Sequence, residues 1–109
     1  MSVDIGFRDY MLDQLSGIGE FETKNMFGGT AVLRNGVAFA KIKHGSLWLK
    51  VDDGNINDFI EEGMIQYSYG KDNSRKLNFY ETPAEVLEDS DLLIKWATKA
   101  CEAAKRSKK

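Results

Sequence analysis

The amino-acid sequence predicts an α+β fold: a two-layer α/β sandwich with a mostly antiparallel sheet and helices mainly on one face. Apolar segments between residues 21 and 51 are separated by turn residues at hairpin spacing, and Asn35-Gly36 is the strongest turn signal among them. Helical patterns flank these segments but do not alternate with them one for one, which argues against a parallel sheet. We therefore expect a five-stranded sheet and the order α-β-β-β-α-β-β-α.

A first helix precedes three predicted strands. Ser2 is its candidate N-cap, and its apolar residues recur at helical spacing. These residues are Phe7, Met11 and Leu15. Residues 21–33 predict one long strand, and the next two strands cover Val37–Lys43 and Ser46–Val51. Together the three strands predict an antiparallel meander.

Gly28 and Gly29 interrupt the first of these strands. Adjacent glycines weaken a strand, so they need a geometric reason. No phosphate-binding lysine follows them and no helix begins there, which argues against a phosphate loop. A β-bulge or a close approach of two backbones is the favoured interpretation.

A short helix and two strands come next. Asp53 or Asn55 is a candidate N-cap for the helix, and Gly63 stands where a left-handed C-cap belongs. The alternating patterns of residues 65–69 and 76–80 predict the remaining two strands.

The C-terminal part is predicted to be helical. Thr82 and Pro83, with Glu85 three residues after the threonine, are typical of a capping box. A second start near Ser90 begins the last helix. Its apolar stripe comprises Leu93, Trp96, Ala97, Ala100, Cys101 and Ala104.

Length and charge limit the function classes. The 109 residues fit a single domain, residues 1–109, and the net charge is −2. Four of the last five residues are basic and form a predicted C-terminal tail over residues 105–109. The body of the chain is therefore more acidic than the whole, so we expect direct DNA binding to be weak or absent.

Cysteine usage and the apolar runs bear on location. The single cysteine excludes an internal disulfide, which suits a reducing cytoplasm. The N-terminal residues lack the pattern of a signal peptide, and no apolar run approaches the ~20 residues that span a bilayer. We expect a cytoplasmic protein that does not associate with membranes.

The sequence offers little for catalysis or metal binding. His44 and Cys101 are the only histidine and cysteine, and they lie on different predicted elements. A zinc site or a Cys-His catalytic pair is therefore not indicated. Asp52 and Asp53 precede a helix, where acids stabilise the N-terminal end of its dipole. We expect no enzymatic activity and no cofactor.

One face of the predicted sheet combines aromatic and basic residues. Leu47 and Leu49 share a face with Val51, so the opposite face presents a different set. This candidate interaction face comprises Phe39, Lys41, Lys43, Trp48 and Lys50. Such a face suits stacking of nucleic-acid bases, a dimer interface with an aromatic centre, or an ordinary amphipathic surface.

Several segments resemble a known family. They are Met26-Phe27-Gly28-Gly29, Gly36, Phe39-Ala40, Leu47-Trp48-Leu49-Lys50-Val51-Asp52, Gly63, Tyr67-Ser68-Tyr69, Tyr80, Pro83, Leu87-Glu88-Asp89 and Leu93-Ile94-Lys95-Trp96-Ala97. Over about residues 5–105 their order and spacing resemble the N-terminal domain of the TfoX/Sxy competence regulators. The resemblance implies a fold similar to that of secretion chaperones, in a stand-alone version of the domain.

The resemblance also implies a function. TfoX/Sxy proteins promote expression of DNA-uptake genes together with the cyclic-AMP receptor protein, so we expect a non-catalytic regulatory module. Its partner would be a protein, either a transcription factor or a second copy of the chain. The alternative is an enzyme or small-ligand binder with the Asp52-Asp53 corner beside the paired glycines. That candidate groove comprises Phe27, Gly28, Gly29 and Asp52.

Overall fold

The structure is a computed structural model that describes residues 5–26, 29–43 and 45–107. Ser2, Phe27, Gly28 and His44, which the sequence patterns single out, lie outside the described residues. The helices are α1 (Ile5–Leu15), α2 (Ile56–Glu61), α3 (Ala84–Leu87) and α4 (Ser90–Ser107). The strands are β1 (Glu22–Met26), β2 (Gly29–Arg34), β3 (Val37–Lys43), β4 (Ser46–Lys50), β5 (Gln66–Tyr69) and β6 (Arg75–Glu81). A 3-10 turn, Ser16–Ile18, follows α1.

The sheet has six strands in the order β1-β2-β3-β4-β6-β5, and every neighbouring pair is antiparallel. The prediction of five strands was wrong because residues 21–33 form two strands rather than one. β1 pairs antiparallel with β2, with Met26 opposite Gly29, so the direction of the chain reverses between them. The chain order therefore has four consecutive strands before α2 instead of three.

Gly29 sits where two backbones approach closely. A Cβ at this position would lie 2.9 Å from the carbonyl oxygen of Ile42 and 3.1 Å from the Cβ of Lys43. Real Cβ atoms do not approach a backbone oxygen so closely, so only glycine lets β2 and β3 pair here without a shift. For Gly29, the predicted close approach of backbones is confirmed.

The helices cover one face of the sheet, as predicted. The main core joins α1 and α4 to that face through buried side chains that include Met11, Leu15, Leu49, Leu93 and Ala97. Phe59 of α2 and Val86 of α3 belong to the same core. A second, smaller cluster on the other face contains only strand residues among those described. Within the described ranges, none of the helices is long and apolar enough to cross a bilayer.

Local turn and cap signals have different outcomes. Asn35 and Gly36 both have positive φ, 54° and 80°, as the predicted tight hairpin requires. Gly63 has φ 72° after α2, which confirms the left-handed position. The predicted capping box does not form. Pro83 holds the N-cap position of α3, and the buried Thr82 hydroxyl has no hydrogen-bond partner among the described residues.

Candidate functional site

The face of the sheet opposite the helices, called the open face below, carries an aromatic cluster. Trp48 of β4, Tyr67 of β5 and Phe79 of β6 pack together on it. The Trp48 and Tyr67 rings meet edge to face, with centroids 5.0 Å apart at 87°. The indole Nε1 of Trp48 donates a hydrogen bond of 3.1 Å to the backbone oxygen of Lys43. These contacts leave Trp48 only 6% exposed, so its ring supports the surface rather than projecting from it.

Lysines lie over this cluster. The Nζ atoms of Lys41 and Lys50 are 5.4 Å and 5.2 Å from the centroid of the Phe79 ring, within cation-π range. Partial burial lowers the pKa of Lys41, and the charges of Lys43 and Lys50 lower it further. Crowding of three ammonium groups is therefore unfavourable in the isolated chain. A negative group placed among them would relieve that repulsion.

Strand register extends the basic character of the open face. Lys24 is opposite Ala31, which is opposite Lys41, so all three share a face. The basic side chains on this face are Lys24, Lys41, Lys43, Lys50 and Arg75, against the acidic Glu22 and Glu81. Glu81 is already engaged, since it accepts a 2.6 Å hydrogen bond from the Ser46 hydroxyl. A protein of net charge −2 thus has one basic face.

Phe39 does not belong to this face, and the prediction that placed it there was wrong. Val32 pairs with Ala40 while the next residue, Leu33, pairs with Ala38, so Phe39 is an extra residue in β3. Such a β-bulge breaks the strict alternation of side chains. Phe39 and Ala40 consequently both point into the main core, where Phe39 is 0% exposed. Lys41 lies beyond the bulge and keeps the predicted side.

The predicted groove is not assembled. Gly29 begins β2 beside the end of β3, whereas Asp52 follows the far end of β4, so they lie at opposite ends of the sheet. Phe27 and Gly28 lie outside the described residues. Gly29 lines a small cavity of about 40 Å³ on the open face, and Asp52 borders a separate one. The alternative function therefore loses the arrangement on which it depended.

Asp52 instead binds the end of α4. Its Oδ2 and Oδ1 accept hydrogen bonds of 2.6 and 2.9 Å from Arg106 Nε and Nη2. Oδ1 also accepts one of 2.8 Å from the Gly54 amide. The bond with Arg106 is the main reason that the pKa of Asp52 lies below its ordinary value. Within the predicted basic tail, residues 105–107 are helical and Arg106 is fixed to the body of the domain.

The sequence patterns did not indicate a groove between the β2–β3 hairpin and α4. Arg34, Phe39, Cys101 and Lys105 are among its lining residues, and its volume is about 480 Å³. Partial burial raises the pKa of the Cys101 thiol, although nearby Arg34 acts in the opposite direction. These residues come from segments that are far apart in the sequence. The sequence shows each residue type, such as an arginine before the hairpin turn, but no local pattern indicates that these residues lie together around a groove.

Among the described residues, no three or more histidine, cysteine or acidic side chains are grouped so that they could hold a metal ion.

The chain was compared with known proteins and protein families. No curated protein shows a significant match to the chain. Among protein families, the TfoX N-terminal domain matches residues 13–104 of the 109. Because this match covers most of the sequence, the chain belongs to the TfoX N-terminal domain family.

Proposed function

We propose that this protein is a non-catalytic regulatory module that binds a protein partner through its open face. Membership of the TfoX N-terminal domain family supports competence-related regulation at the level of the family. The more specific proposal is that the partner is a transcription factor controlling DNA-uptake genes, with the protein as its co-regulator in the cytoplasm. The carrying observation is the open face itself, where lysines surround an aromatic cluster that no described helix covers.

The charges of the open face favour an acidic partner. Lys41, Lys43 and Lys50 repel one another, and an acidic surface would remove that cost on binding. The aromatic rings below the lysines are nearly buried, so they support the lysine side chains and offer a partner little contact area of their own. A symmetric homodimer through this face would instead oppose two sets of lysines. A homodimer stays a prediction, and we propose the acidic hetero-partner as the principal one.

The non-catalytic part of the proposal is supported by how the strongest candidate groups are used. The Asp52 carboxylate is held by Arg106 and the Gly54 amide, so its oxygens serve structure. The pKa of Cys101 is raised, so less of it is present as the nucleophilic thiolate near neutral pH. Neither group is arranged as an activated nucleophile or general base.

A charge-reversal experiment in the native host tests the proposal. The coding sequence is deleted and replaced by wild type, by Lys41→Glu/Lys43→Glu, or by Lys71→Glu/Lys95→Glu. The last variant is a matched control because Lys71, in the loop between β5 and β6, and Lys95, on α4, are exposed and belong to no strand of the sheet. Tagged proteins are captured, and transcripts of DNA-uptake genes are measured in the same cultures.

We expect the open-face variant to lose a captured acidic protein and to change those transcripts, while the control behaves as wild type. Thermal unfolding of the purified variants confirms that both remain folded. Equal capture by both double variants would refute the open face as the binding surface. Unchanged transcripts after deletion of the gene would refute the role in DNA uptake, while leaving the partner-binding result to stand on its own.

A further inference from the structure

The groove between the β2–β3 hairpin and α4 lies apart from the open face and has the character of a ligand site. Its volume of about 480 Å³ lies within the ~300–1,000 Å³ of small-molecule pockets. Phe39 and Ala104, which are buried, provide an apolar inner wall. Arg34 and Lys105, which are exposed, place two positive charges at its mouth.

Arg34 is poorly matched by its present neighbours. Its Nη1 donates to the sulfur of Cys101 at 4.0 Å, and a thiol is a weak acceptor. None of the ion pairs among the described residues involves Arg34. A guanidinium presents a planar fork of donors that matches the two oxygens of a carboxylate. Arg34 therefore lines a cavity of suitable size while no carboxylate of the described residues forms an ion pair with it.

We propose that this groove binds a small amphipathic monocarboxylate, independently of the partner binding described above. Its carboxylate pairs with Arg34, with Lys105 adding attraction, and its alkyl or aryl body lies against Phe39 and Ala104. Glu102 also lines the groove and repels additional negative charge. The arrangement thus favours one carboxylate over a dianion.

Cys101 reports occupancy of the groove, because it is the only cysteine and lines the cavity. The rate of its alkylation by iodoacetamide is measured with octanoate, with 1-octanol and with acetate. We expect strong protection by octanoate, weaker protection by octanol, which lacks the charge, and none by acetate, which lacks the apolar body. Alkylation that is unaffected by octanoate would overturn the proposal, as would equal protection by octanol and octanoate.

Matched variants identify the carboxylate partner. Arg34→Gln keeps hydrogen-bond donors but removes the charge, and we expect octanoate affinity to fall about ten-fold. Lys95→Gln, an exposed change elsewhere on α4, is expected to leave it unchanged. Glu102→Gln removes the repelling charge and should strengthen binding. Protection is compared within each variant, because Arg34 itself lowers the pKa of the thiol. An affinity that does not depend on Arg34 would refute the site.

Discussion

Replacing Phe39 by alanine tests the β-bulge that turns this ring into the core. The side chain is 0% exposed, and full truncation of a buried phenylalanine costs about 3–5 kcal/mol. One side of Phe39 borders the groove, so water can enter the space left behind and the cost should lie near ~3 kcal/mol. A domain of this length has roughly 5–15 kcal/mol of stability, so the variant should still fold.

Urea unfolding followed by tryptophan fluorescence and far-ultraviolet circular dichroism measures this change. With a urea dependence of about 1.5 kcal/mol per M, the midpoint should fall by about 2 M. Lys41→Ala is the control, because it lies on the opposite face and should cost less than ~1 kcal/mol. If the two variants lost similar, small amounts, Phe39 would lie on the open face as strict alternation predicts, and the bulge would be refuted.

Other perturbations test separate contacts. Trp96→Ala, which removes a half-buried ring packed against α2, should cost ~2–3 kcal/mol in the same denaturation assay; a loss below ~1 kcal/mol would contradict its packing role. Gly29→Ala should reduce the free energy of unfolding by ~1–3 kcal/mol and so lower the melting temperature, because its Cβ would meet the Ile42 carbonyl oxygen. An unchanged melting temperature would contradict the close approach. Arg106 lowers the folded-state pKa of Asp52, so their contact stabilises the fold above the unfolded pKa of ~3.9 and is lost as pH falls through the folded pKa. Arg106→Gln should therefore lower the melting temperature at neutral pH, with a difference from wild type that closes in acid; a difference that persists there would refute the linkage. Duplex DNA should bind weakly and in a salt-sensitive manner in an anisotropy titration, and submicromolar affinity at near-physiological salt would contradict this.

Features fixed by neighbouring residues could be predicted from the sequence. The Asn35-Gly36 turn and the left-handed Gly63 depend on backbone preferences of the residues themselves. The strand Val37–Lys43 was predicted with the bounds that the structure shows, because a turn signal stands at each end. Of the candidate face, Lys41, Lys43, Trp48 and Lys50 lie where alternation predicts.

Features that depend on pairing between distant segments could not be predicted from the sequence. The bulge at Phe39 arises because two residues of β3 oppose one of β2, and nothing in β3 alone specifies it. The separation of β1 from β2 was missed because the pair Gly28-Gly29, which also fits a turn, was interpreted as an interruption within one strand. Tyr67 belongs to the aromatic cluster because β5 lies at the sheet edge beside β6, and the pattern of residues 65–69 alone does not specify that neighbour.

The position of α4 in the core has a consequence for synthesis of the protein on the ribosome. This last described helix supplies Leu93, Ala97, Ala100 and Ala104 to the core and packs on β3 and β4. While it is still inside the exit tunnel, the apolar side of the emerged sheet lacks the cover that α4 provides over β3 and β4. The nascent chain therefore cannot complete its fold gradually from the N-terminus, and it exposes aggregation-prone strands until α4 has left the tunnel. Slow codons in the segment that encodes α4 would lengthen that vulnerable interval and increase the demand for chaperones.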